Sequence, residues 1–148
     1  MKNTVFMLFV IFFRINLYSQ SVYYGYPVND TLQKGDIAIV NLPPFNLNRG
    51  RIYEWEESDK MVDLIERHKG KTLRLEVNLP WGSAQLSKRL TENFCEDIQE
   101  ILECKTALRN YRMVANGNEN PIFLKRKKNW KKNNRYIIMN SRIDIFVE

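Results

Sequence analysis

The chain has 148 residues, 44% hydrophobic and 12% aromatic, with 23 Lys and Arg against 17 Asp and Glu for a formal net charge of +6. That length allows one domain with a substantial core and excludes two comfortable ones. The basic balance points to anionic partners, and which kind depends on where the chain resides.

Residues 1–19, MKNTVFMLFVIFFRINLYS, place Lys2 ahead of an apolar run from Val5 to Phe13 and end in small Ser19, the outline of a secretory signal peptide. A membrane-spanning helix needs about 20 apolar residues, and Arg14 interrupts this run, so no transmembrane segment is expected after cleavage. Cleavage removes Lys2 and Arg14 and no acid, which lowers the net charge from +6 to +4. An exported basic domain meets peptidoglycan carboxylates and lipid headgroups, so nucleic acid is not expected as a partner.

Residues 20–34, QSVYYGYPVNDTLQK, are aromatic and polar without a sustained period and read as an extended arm preceding a domain over 35–148. Ile37 and Ile39 suggest a strand that Pro43 and Pro44 stop or push to a sheet edge, with Phe45 and Leu47 resuming it. EWEESDKMVDLIERHKG has acids first, bases last and Gly70 at its end, the charge order of a helix, with Met61, Leu64, Ile65 and His68 on one face. TLRLEV alternates Leu73, Leu75 and Val77 with Arg74 and Glu76, a half-buried strand. A second helix is expected from Ala84 to Glu103, its apolar stripe formed by Leu86, Leu90, Phe94, Ile98, Ile101 and Leu102. YRMVA over 111–115 reads as a third strand, NGNENPIF as a loop, and MNSRIDIFV as a last strand with Ile143, Ile145 and Val147 on one face. Alternating elements around one sheet predict an α+β sandwich of βαβαββ type, a mixed sheet with two helices on one face.

Chemistry is sparse along this frame. His68, the single histidine, sits where a buried or capping residue is expected, and no metal or cofactor site can be built around it. Glu54, Glu56, Glu57 and Asp59 suit the positive end of a helix at about 0.3–1 kcal/mol apiece, so they are not read as an acid–base pair and the chain is read as a non-enzyme. Cys95 and Cys104 are nine residues apart. On one helix that is ~13.5 Å on nearly opposite faces, so two unpaired, buried or half-buried thiols are expected. LKRKKNWKKNNR packs seven cations around Trp130 between Leu124 and Arg135. It reads as a basic loop able to attract anions, with Trp130 available for stacking.

Four stretches in this order, LRLEV, QLSKRL, RMVANGNENPI and MNSRIDIF, resemble the outer membrane protein A-like (OmpA-like) domain, the peptidoglycan-associated module of Gram-negative envelopes. The resemblance spans about residues 35–148. Leu86 and Ser87 match the family's Leu-Ser at the second helix. Gly117, Asn120, Pro121 and Ile122 resemble its turn, and Asn140 and Arg142 keep the outer letters of its Asn-Arg-Arg, with Ser141 in the middle. The Ser-Gln signal end is similar to the Bacteroidetes type of envelope.

The resemblance implies a periplasmic domain, associated with the outer membrane, whose aspartate after the second strand and arginine on the second helix hold diaminopimelate of the stem peptide. Here the first position lies in Val77-Asn78-Leu79-Pro80, without a carboxylate, and the second is Leu90, with Arg89 one place earlier. One residue is ~100° around a helix, so Arg89 points beside the family direction unless its side chain bends back. The candidate ligand-binding residues are Asn140, Arg142, Arg89 and Asn78. Two expectations follow: peptidoglycan association with diaminopimelate recognition altered or lost, or a subunit that grips another envelope protein in a secretion or motility complex.

Overall fold

The computed structural model describes residues 20–46, 50–52, 54–117, 119 and 140–148. The signal peptide expected over 1–19 and the basic run 125–135 lie outside the described residues. In chain order the elements are β1 (Val22–Tyr24), β2 (Ile37–Asn41), β3 (Phe45–Asn46), β4 (Arg51–Ile52), α1 (Ser58–Arg67), β5 (Leu73–Asn78), α2 (Ala84–Lys105), β6 (Tyr111–Gly117) and β7 (Arg142–Val147). Five strands form one mixed sheet in the order β1-β2-β7-β5-β6, and β3 and β4 form a separate two-stranded ribbon.

β7 is antiparallel to both of its neighbours, while β5 and β6 run parallel, as do β1 and β2. The period-two pattern of β7 sets the register. Ile143 stands between Val40 and Val77, and Ile145 between Ala38 and Leu75. These residues are buried together with Met61, Leu64 and Ile65 of α1 and Leu90, Phe94, Ile98 and Leu102 of α2. The expected α+β mixed sheet with two helices on one face is the architecture observed.

Three features depart from the sequence expectations or add to them. Within the aperiodic arm, Val22–Tyr24 is an edge strand parallel to β2, tied down by the buried Asp36, whose carboxylate accepts from Ser21 N–H at 3.0 Å and Gln33 N–H at 2.8 Å. Leu32, further along the arm, is fully buried. The second helix runs two residues further than expected, to Lys105, and carries both cysteines. They are unpaired, with Cys95 buried, but Cys104 is exposed, which corrects the expectation of two buried or half-buried thiols. An amphipathic helix turns any residue about nine places along to its other side, so burial of one thiol carries exposure of the other.

His68 follows α1 and is buried, its Nδ1 2.7 Å from the Leu64 carbonyl oxygen, a donor closing the helix end as its position predicted. No helix among the described residues is long and apolar enough to cross a membrane.

Candidate functional site

The alternation that sends Ile143, Ile145 and Val147 into the core sends Arg142, Asp144 and Phe146 to the opposite face. The register extends this face into three rows. One runs Val22, Ile37, Phe146, Arg74, Arg112; the next runs Tyr24, Ile39, Asp144, Glu76, Val114; the third holds Asn41, Arg142 and Asn78. The first two rows are apolar on β1 and β2 and carry charge on β5, while the third is polar throughout.

Where β7 begins, the polar groups converge. Arg142 donates from Nε to Asp144 Oδ1 at 2.8 Å and from Nη2 to Oδ2 at 2.9 Å, a forked ion pair, and its Nη1 donates to the Asn140 carbonyl at 3.3 Å. Asn78 comes across from β5 and donates from Nδ2 to Asp144 Oδ2 at 3.1 Å. A shift of register between Val77 and Asn78 brings in Asn116 of β6, which donates to Glu76 at 2.7 Å. Both charged side chains are almost dry: 4% of Arg142 and 9% of Asp144 remain accessible. Burial pushes the Asp144 carboxyl above its ordinary value, against the opposing pull of its hydrogen bond from Arg142. Further out, Arg74 lies 2.9 Å from Glu76 and 4.5 Å over the Phe146 ring, and Arg112 donates to Glu148 at 2.9 Å.

The exit of β5 is locked to the start of α2. Ser83 caps the helix by accepting from Leu86 N–H, and the fully buried Ser87 donates its hydroxyl to the Leu79 carbonyl. Gly117 is required beside it: φ is +61°, and a Cβ there would stand 3.1 Å from the Lys88 nitrogen and 3.2 Å from Ser87 Oγ. Ser87 and Gly117, two of the residues that carried the resemblance, thus join the second helix to the strand ends.

Of the four candidate residues, the structure brings together Asn78, Asn140 and Arg142, all buried. Arg89 lies on the exposed side of α2 and makes no ion pair or hydrogen bond among the described residues. Leu90, where the resemblance would put an arginine, is buried in the core, its side chain 3.2 Å from where a Cβ on Gly50 would stand. Sequence reasoning missed Asp144, Glu76 and Asn116. Asp144 was findable, since Arg-Ile-Asp puts residues 142 and 144 on one face of a strand; Asn116 depends on the register shift and left no signal.

The fold has counterparts among solved structures. The chain is similar to the peptidoglycan-associated lipoprotein from Burkholderia pseudomallei, at 14% identity and a TM-score of 0.54, over 70% of this chain and 86% of that one. It is also similar to the periplasmic domain of Helicobacter pylori MotB, at 12% identity and a TM-score of 0.57, over 80% and 79%. The fold is that of OmpA-like domains. No family model matches the sequence, and no curated protein matches it. At such identities the likeness is one of fold, and the ion pair at the start of β7 is described from this chain alone.

Proposed function

We propose that this chain is a non-catalytic periplasmic domain that associates with peptidoglycan without the usual two-charge grip on diaminopimelate. The observation that carries this reading is the closed cluster of Asn78, Asp144, Arg142 and Asn140. A zwitterionic guest taken from water needs a host acid for its ammonium and a host base for its carboxylate, because a bound ion left unpaired costs several kcal/mol. Here the acid and the base are adjacent, and each already answers the other. Such a guest would have to break a forked ion pair to gain the same interactions. The fold supports envelope association, and the cluster argues for contacts to the wall made outside the family pair.

Retention on purified sacculi tests this. The protein should be retained, with free diaminopimelate a poor competitor, and Arg89→Ala should reduce retention only if Arg89 serves as the substitute anchor. Failure to sediment with sacculi, under conditions where an intact OmpA-like domain does, overturns the reading.

A second reading, a subunit that grips another envelope protein, is favoured by one observation: the exposed large hydrophobics among the described residues are Val22, Tyr24 and Val28, all in the arm. Cross-linked envelopes should then yield a stoichiometric partner.

A further inference from the structure

β1 leaves the sheet before β2 has ended, and the space beyond it is a groove. The last bond of their ladder is Gly25 N–H to the Ile39 carbonyl at 2.8 Å. At Gly25 the chain takes φ +103°, open to glycine at little cost, and turns away. Arg67 of α1 holds the departing segment, donating from Nη2 to the Pro27 carbonyl at 2.7 Å and from Nη1 to the Asp30 carbonyl at 2.9 Å. Between this segment, α1 and the end of β2 lies a cavity of about 620 Å³, lined in part by Tyr24, Tyr26, Pro27, Asn41 and Asp63.

Two chemical features of the groove specify an occupant. In β2 the backbone groups of Ile37 and Ile39 turn toward β1, with Ile37 N–H on the Ser21 carbonyl, and Leu42 N–H turns the other way, to the Ser141 carbonyl. By that alternation the N–H and C=O of Asn41 face the β1 side, one step past the point where β1 has gone. A strand edge of this kind is answered by another extended backbone. Of the charged groups that line the cavity, Glu57 is engaged by Lys60 at 2.6 Å, Arg67 by the arm carbonyls and Arg142 by Asp144, whereas Asp63 has no ion pair among the described residues. Tyr24 and Val28, each 81% exposed, give the rim apolar surface.

We propose that the groove takes an extended peptide segment of a partner protein. The segment continues the line of β1, hydrogen-bonds the Asn41 backbone, lays an apolar side chain against Tyr24 and Tyr26, and turns a basic side chain to Asp63. A lipid headgroup or a glycan strand offers no amides at strand spacing. The inference deepens the second reading above by naming its site and its partner's chemistry, and it does not depend on binding to sacculi.

Panning a random heptapeptide phage library on the immobilised protein tests it. Enriched sequences should alternate apolar residues and contain a Lys or Arg. A synthetic peptide of the enriched sequence should shift the Asn41 amide resonance in an NMR titration. Asn41→Pro, which removes an N–H that no ladder bond uses, should weaken binding about tenfold, the worth of one or two backbone hydrogen bonds. Asp63→Asn should weaken it about threefold and abolish the preference for a basic residue.

N-methylation of the peptide, one amide at a time, gives the same reading without altering the protein: one or two positions should lose binding and the rest should not. No enrichment over uncoated support, equal binding to Asn41→Pro, or indifference to every N-methyl group overturns the proposal. So does a concentration-dependent dimer abolished by Asn41→Pro, which gives the groove to a second copy of this chain. A stoichiometric envelope partner whose binding ignores Asn41→Pro would leave the second reading standing and remove only this site.

Discussion

The two faces of β7 are made by alternate residues of one six-residue strand, yet they are held by different physics. Ile143, Ile145 and Val147 meet the helices through undirected apolar contact, which tolerates a change of shape at modest cost. Arg142 and Asp144 meet each other through directed hydrogen bonds between buried charges, where removing one partner strands the other. A strand can therefore be robust on one side and brittle on the other.

Breaking the charged face should have the largest effect. Asp144→Ala or Arg142→Ala alone is expected to cost about 3–5 kcal/mol in urea denaturation, through the buried partner left without its hydrogen bonds. The double replacement Arg142→Leu with Asp144→Leu should recover most of that loss, and a single replacement costing under about 1 kcal/mol would refute the contrast. On the apolar face, Ile145→Val removes one methylene and should cost only about 0.5–1.5 kcal/mol by the same measurement.

Smaller still is the pH dependence that Asp144 contributes. Its folded pKa is raised above the ordinary value of 3.8, chiefly by burial, so the folded state binds this proton more readily than the unfolded state. Its contribution is therefore fully present below about pH 3.8 and is lost as the pH rises through the folded value. Relative to Asp144→Asn, the unmodified protein should lose stability across that rise, and a difference growing in the opposite direction would show that Arg142 dominates.

The same two-sidedness on α2 should appear with no effect on stability at all. In native protein at pH 8 a thiol reagent should label Cys104 and spare Cys95, whose thiol is pushed up to about 12 by burial first and by Glu92 and Glu96 second. Mass spectrometry of the labelled peptides reads the outcome, and unfolding should equalise the two.

Those contrasts also mark what was legible in the sequence. Leu73, Leu75, Val77 and Ile143, Ile145, Val147 declared their strands because burial on one face imposes a period of two, and the helices declared themselves by apolar stripes and charge order. β1 was not legible: three residues at a sheet edge leave no period, and what fixes them is Asp36, fifteen places along from Ser21. The site was half legible. Asn140, Arg142 and Asn78 were picked out by resemblance, but the acid was sought at the end of β5, where the resemblance would put it. The strand itself supplied one two residues past Arg142. Arg89 and Leu90 differ by a single helical step, and the apolar stripe decided which of them faces inward.

β7 carries one further consequence, which concerns time rather than binding. It is the last of the described strands in chain order, yet it lies at the middle of the sheet, between the β1-β2 pair and the β5-β6 pair. A chain that emerges N-terminus first presents those two pairs before β7, with two facing edges that nothing yet bridges. Cooperative assembly must therefore wait for the final strand to slot between them. Until then the nascent chain displays open edges, and a chaperone or a wrong neighbour has its opportunity.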